Sequence, residues 1–77
     1  RAEQAVDRIV AVYEGAFQDW TLLDKTRPSI RRFLKSLPEP IVIEAMELAC
    51  ARMNENKAWR YFCGVCWHKI RDAEGQS

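Results

Sequence analysis

Trp59-Arg60-Tyr61-Phe62-Cys63-Gly64-Val65-Cys66-Trp67-His68-Lys69-Ile70 is the stretch whose reading decides the fold. It holds four aromatics, two closely spaced cysteines, the only histidine, and the basic residues Arg60 and Lys69. As a ligand cluster it would be a metal or redox site built on Cys63-x-x-Cys66 and His68. As a helix it would close a small helical domain and present aromatic and basic groups to a partner. Helical phasing separates the two. Trp59, Phe62, Cys63, Cys66 and Ile70 fall on one face, Tyr61, Val65 and His68 on an adjoining stripe, and Arg60, Trp67 and Arg71 on a third. Positions 63 and 66 lie about 60° apart on a helix, but 66 and 68 lie about 200° apart, so His68 points away from both thiols.

Zinc sites commonly use two Cys-x-x-Cys knuckles, or one knuckle with a pair of histidines. Here a fourfold set must be assembled from Cys50, Cys63, Cys66 and His68, in an unbroken aromatic run rather than a polar turn. A redox Cys-x-x-Cys needs a helix N-terminus to lower the first thiol's pKa, and Cys63 sits well inside the expected helix. The favoured reading makes both cysteines small buried apolar groups, with no metal and no cofactor; a small structural zinc domain is the second alternative. No paired carboxylates, phosphate loop or serine elbow suggests catalysis, so no catalytic residue and no enzyme is expected.

Upstream of this segment the pattern is helical throughout. Ala2, Val6, Ile9, Val10, Tyr13 and Phe17 recur at helical spacing, with Glu3, Gln4, Asp7, Arg8 and Glu14 opposite, predicting an amphipathic helix over roughly residues 2 to 18. Trp20, Leu22 and Leu23 follow as a loop expected to drop apolar groups onto the core. Thr26-Arg27-Pro28-Ser29 reads as a helix start, and Ile30, Phe33, Leu34 and Leu37 continue it until Pro38 ends it. Pro38-Glu39-Pro40 can open the next helix, with Glu39 near its positive end. There Ile41, Ala45, Leu48, Ala49 and Arg52 lie along one face, with Val42, Met46 and Met53 beside them. Alanines 45, 49 and 51 would let another helix approach closely. Asn54-Glu55-Asn56 is a break, with Asn56 as the expected N-cap of the last helix. That helix should fray by Asp72, leaving residues 72–77 as a disordered tail. No segment alternates with period 2. The fold class expected is all-α: one small helical domain over residues 1–77, three main helices plus one short one.

With 77 residues and 48% apolar composition, the chain carries one domain with a thin core. It opens on Arg1 rather than Met, which leads us to expect a piece of a longer protein. No run is long and apolar enough to span a membrane. Three cysteines are an odd count, which fits reduced thiols in the cytoplasm better than a closed disulfide framework.

A net charge of +1 predicts nothing about nucleic acid, but the basic residues are clustered. Lys25, Arg27, Arg31, Arg32 and Lys35 surround the second helix, and Lys57, Arg60, Lys69 and Arg71 punctuate the last. If the two helices are neighbours, these residues form one positive face. Lysine and arginine supply the phosphate term of nucleic-acid affinity, and exposed aromatics stack on unpaired bases. Arg31, Arg32, Lys35, Lys57, Arg60, Lys69 and Arg71, with Tyr61 and Trp67 for stacking, are therefore the candidate DNA-binding residues. The acidic side of the first helix (Glu3, Asp7, Glu14 and Asp19) is expected to face solvent, or to meet a second copy or a partner.

The order of features resembles the helical DnaD-like domain of replication-initiation and primosome proteins in low-GC Gram-positive bacteria and their phages. Its early aromatic-Glu-x-x-Phe helix is matched by Val12-Tyr13-Glu14-Gly15-Ala16-Phe17. Its central helix, with an Ile-rich first turn and an alanine-rich stretch, is matched by Ile41-Val42-Ile43-Glu44-Ala45-Met46-Glu47-Leu48-Ala49, and its Asn-containing break by Asn54-Glu55-Asn56. The family's last helix follows Tyr-Ile-x-x-Ile-Leu-x-x-Trp; here it reads Tyr61-Phe62-Cys63-Gly64-Val65-Cys66-Trp67-His68-Lys69. Lys69 stands at the family's Trp position, and Trp67 falls two residues earlier on a different face. The likeness spans about residues 6 to 71. It implies a non-enzymatic role in assembling a replication complex, through DNA, single-stranded DNA included, and a helicase or helicase loader, with Tyr61, Val65 and Lys69 at matching positions. The alternative is a protein-interaction or self-association module without DNA affinity.

Overall fold

A computed structural model describes residues 2–75. The chain folds as α1 (Ala2–Ala16), a 3-10 turn (Asp24–Thr26), α2 (Arg27–Ser36), α3 (Glu39–Arg52) and α4 (Ala58–Gly75), with no strand among the described residues. The all-α class is therefore as expected, with α2 as the short helix. α3 is the central element, in contact with both α1 and α4, while α2 touches all three of the others.

The core takes one stripe from each helix: Val6, Ile9, Val10 and Tyr13 from α1, Ile30 and Phe33 from α2, Val42, Ala45, Met46 and Ala49 from α3, and Phe62, Cys66 and Ile70 from α4. Ala45 and Ala49 are buried in the α3 seam, where their small side chains permit close helix approach; Ala51 is exposed and has no such role. Leu48, expected on the same face, lies on the rim instead. The buried stripe of α3 is centred on Val42, Met46 and Ala49, which leaves position 48 well to one side of it.

One proline separates α2 from α3. Leu37 N–H donates to the Phe33 carbonyl at 2.8 Å, and Pro38, lacking an N–H, cannot extend the ladder. The Pro38 carbonyl then accepts from Ile41 and Val42 N–H at 3.1 and 3.2 Å, which starts α3. α4 is capped by Asn54, not by Asn56: Asn54 Oδ1 accepts from the N–H groups of Asn56 and Lys57, each at 3.2 Å. A cap accepts from N–H groups two or three residues ahead of it; from Asn56 the nearer of these is Ala58 N–H, which already donates to the Asn54 carbonyl at 2.9 Å. The far end of α4 also differs from expectation. The helix continues to Gly75, since Asp72, Ala73 and Glu74 contain no helix breaker and His68 Nε2 lies 3.4 Å from the Asp72 carboxylate one turn on. The last two positions of the expected tail, 76 and 77, fall outside the described residues.

Two further expectations are corrected. α1 stops at Ala16; Phe17 still packs against the core, but of Trp20, Leu22 and Leu23 only Leu22 does, with Trp20 44% exposed and Leu23 60% exposed. The acidic face of α1 does not point wholly to solvent. Glu3 binds Arg27 at 3.0 Å and also pairs with Arg31, while Asp7 pairs with Arg27. Carboxylates four residues apart on α1 thus meet guanidinium groups four residues apart on α2. Arg8 joins α1 to α3 through a two-pronged contact with Glu39, at 2.5 and 2.8 Å. The hydrogen bonds from Arg27 and Arg31 hold the Glu3 carboxyl below its ordinary value, and Arg8 does the same for Glu39. Each pair is solvent-accessible, so its role is orientation more than stability.

Candidate nucleic-acid interface

α4 carries most of the candidate residues, and its buried stripe sets their directions. With Phe62, Cys66 and Ile70 inward, Tyr61 faces the α3 side, Trp67 the α2 side, and Arg60 and Arg71 ride the outer crest. Tyr61 and Trp67 are six positions apart, which places them about 120° apart around the helix.

The α3 side is a furrow with an aromatic at its centre. Tyr61 is half-buried, and its hydroxyl accepts a long hydrogen bond, 3.4 Å, from the Arg52 guanidinium. Tyr61 lines two open grooves. One, of ≈ 480 Å³, is lined by Met53, Asn56, Lys57, Arg60 and Tyr61. The other, of ≈ 320 Å³, is lined by Tyr61, Gly64, Val65, His68 and Lys69. The space beside Gly64 in that groove is open, with no atom within 4 Å of where a methyl group would stand. Lys57, Arg60 and Lys69 are exposed. The result is an aromatic platform with cationic groups to either side.

The α2 side is different. Trp67 packs edge-on against Phe33, with ring centroids 5.3 Å apart, and the Arg32 guanidinium sits 5.2 Å from the indole centroid. With 37% of its surface exposed, Trp67 is a rim residue already stacked with a cation, and so a poor free platform. Arg31 is committed to Glu3. Lys35 and Arg71 are exposed; Lys35 lines the outer face of α2 with Pro28, Arg31, Arg32 and Ser36. The two helices are neighbours, as the charge pattern required, but the nine candidate residues do not form one surface. Lys57, Arg60, Tyr61 and Lys69 come together; Arg32 and Trp67 form a separate contact; Arg31 is used inside the fold. Arg52 is the addition that sequence reasoning missed. Spacing puts it on one α3 face with Ile41, Ala45, Leu48 and Ala49, and only the α3–α4 pairing brings it to Tyr61.

The cysteines belong to the packing. Cys66 is buried, Cys63 half-buried, and Cys50 lies on α3. Burial pushes the Cys63 thiol up to about 11; burial, reinforced by Cys63, pushes Cys66 up to about 12. His68 is exposed beside Asp72, and no group of three or more His, Cys, Asp or Glu among the described residues is arranged to hold a metal ion. Neutral thiols are poor nucleophiles, so Cys63 and Cys66 should alkylate at neutral pH much more slowly in folded protein than in urea, as followed by mass spectrometry. The same raised values make alkali destabilising. From the ordinary value of 9.0 upward the unfolded chain sheds thiol protons that the folded chain retains, so stability falls as pH rises through this range.

No family model, curated protein or solved structure matches the chain. No helix among the described residues is long and apolar enough to cross a membrane.

Proposed function

We propose that this is a non-enzymatic DNA-binding domain of a replication complex, which takes a single strand along the α3 side of α4. The observation that carries the reading is that Tyr61 lines two open grooves whose other lining residues include Lys57, Arg60 and Lys69, with Arg52 hydrogen-bonded to its hydroxyl. A planar ring accessible on a convex helix can stack on an unpaired base, and the cations beside it can neutralise the adjacent phosphates. Bases inside a duplex offer no such face. The likeness to the DnaD-like domain supports the same side of α4, because Tyr61, Val65 and Lys69 are its matching positions and all three line one groove. A helicase or helicase loader is the partner class that this likeness implies.

Fluorescence anisotropy with a labelled single-stranded oligonucleotide tests the reading. Three or four phosphate contacts predict a log–log salt slope of about −2 to −3 for a single strand. A duplex of equal length should bind more weakly. Folded protein that shows no salt-dependent binding overturns the DNA assignment.

A further inference from the structure

α2 has an outward face that the Tyr61 furrow does not use. Pro28, Arg31, Arg32, Lys35 and Ser36 line an open depression of ≈ 500 Å³ there. Their spacing of three and four residues puts them on one side of the helix, away from the buried Ile30 and Phe33. Arg31, Arg32 and Lys35 are cations, and no carboxylate is in the lining.

The three cations are held differently. The Arg32 guanidinium sits 5.2 Å from the Trp67 centroid, and Phe33 supports the same indole edge-on. That contact orients the guanidinium and leaves its charge in place, because an aromatic ring carries none. Lys35 is exposed, and neither it nor Arg32 makes an ion pair among the described residues. Arg31 pairs with Glu3. Glu39, which shares the neighbouring groove with Arg31 and Lys35, is held by Arg8 at 2.5 and 2.8 Å. These two carboxylates are thus already engaged, and Arg32 and Lys35 keep their full charge for a ligand.

The lining selects the occupant. Protein partners are gripped through aromatic and apolar anchors, and Pro28 is the one apolar residue in this lining. An unpaired base needs a free ring to stack on, and Trp67 already has Arg32 against its ring. The groups that remain, an oriented guanidinium, an exposed ammonium and the Ser36 hydroxyl, all donate to phosphate oxygens and carry no means of reading a base. A duplex hides its bases and presents phosphates more densely than a single strand does. We propose that the outer face of α2 binds the sugar–phosphate backbone of a DNA duplex, so that the whole domain takes a junction between double- and single-stranded DNA. The duplex site stands on α2 alone; the junction rests on the single-strand reading of the Tyr61 furrow. The two surfaces lie on different sides of α4, and a substrate that reaches both presents its second arm at high effective concentration.

Anisotropy with three labelled probes tests this: a single strand, a blunt duplex, and a duplex with a single-stranded tail. The tailed duplex should bind about tenfold or more tighter than either part. Arg32→Ala with Lys35→Ala should leave single-strand affinity unchanged and bring the tailed duplex down to the level of the single strand. It should also flatten the duplex salt slope by about 0.9 per residue removed. Arg32→Lys, which keeps the charge, should keep that slope. Tyr61→Ala should weaken the single strand and the tailed duplex but not the blunt duplex. Circular dichroism checks that each variant is folded. A tailed duplex that binds no tighter than the single strand overturns the proposal and leaves the furrow standing. Loss of all single-strand binding, with duplex binding still dependent on Arg32 and Lys35, overturns the furrow and the junction and supports the α2 site. Duplex binding indifferent to the double variant overturns the α2 site itself. So does displacement of the duplex by polyglutamate as readily as by unlabelled duplex, since the face then takes an acidic protein segment.

Discussion

Phe62→Ala is expected to leave the domain without a cooperative thermal transition. Phe62 is fully buried, meets Phe33 edge-on with centroids 5.6 Å apart, and lies 5.3 Å from the Trp59 ring. Truncating such a ring costs about 3–5 kcal/mol, the lost transfer free energy plus the cavity left behind. Small domains sit at the lower end of a total stability of about 5–15 kcal/mol, so this single change removes most of it. The cavity would open where α2 and α4 meet, and the neighbouring rings, rigid and already engaged with one another, are badly shaped to fill it. Phe62→Leu should retain a transition at lower temperature, because most of the buried volume stays. Arg60→Ala, one turn face away and exposed, should change stability by no more than about 0.5 kcal/mol. Urea titrations followed by circular dichroism distinguish the three. A cooperative Phe62→Ala domain with near-native midpoint would mean that the α2–α4 contact contributes little, and that the fold depends instead on α1 against α3.

The helical phase of α4 was readable because its spacing is regular and its buried residues, Phe62, Cys66 and Ile70, repeat every four. The same regularity turns the cysteines inward and His68 outward. What the phase does not contain is the direction of the neighbours. Leu48 and Arg52 illustrate this: both fit an apolar stripe on α3 by spacing, yet α4 arrives on one side and α1 on the other, and both residues end on the rim. The loop after α1 failed for a related reason. Trp20 and Leu23 are apolar, and apolar loop residues are expected inside; but Leu22 is the one of the three that packs on the core, and Trp20 and Leu23 stay on the surface. Places where a local rule is broken without an evident structural gain are where function is to be sought.

The ladder between α1 and α2 shows the opposite case, a contact that was present in the sequence in plain form. Glu3 and Asp7 are four apart, as are Arg27 and Arg31, and a spacing of four puts each pair on one helix face. Two complementary doublets of this kind are suited to face each other whenever their helices are adjacent. As surface alone, the carboxylates suit solvent or a partner and Arg31 suits a phosphate. Counting Arg31 among the phosphate contacts overlooks that an arginine already paired with carboxylate must give up that partner before it can bind an anion.

Tyr61→Ala and Trp67→Ala should therefore diverge, although both remove an aromatic from the same helix. Tyr61 lines two open grooves and accepts a single long hydrogen bond from Arg52. Its loss should weaken single-strand binding by the worth of one stacked base, about 1–3 kcal/mol, or roughly five- to 150-fold. The salt slope should stay the same, because no phosphate contact is removed. The triple change of Lys57, Arg60 and Lys69 to alanine should do the reverse, flattening the slope by about 0.7 per residue while leaving the stacking term. Trp67→Ala removes the edge contact with Phe33 and the cation–π contact with Arg32. It should lower the unfolding midpoint and leave affinity, measured below that midpoint, within about twofold, since its face of α4 is turned away from the furrow by a third of a turn. Anisotropy titrations and urea melts on the same three variants decide the matter. If Trp67→Ala loses as much affinity as Tyr61→Ala while remaining folded, the strand must cross the crest of α4 at Arg60 and Arg71 and reach the α2 side, and the one-sided furrow is wrong.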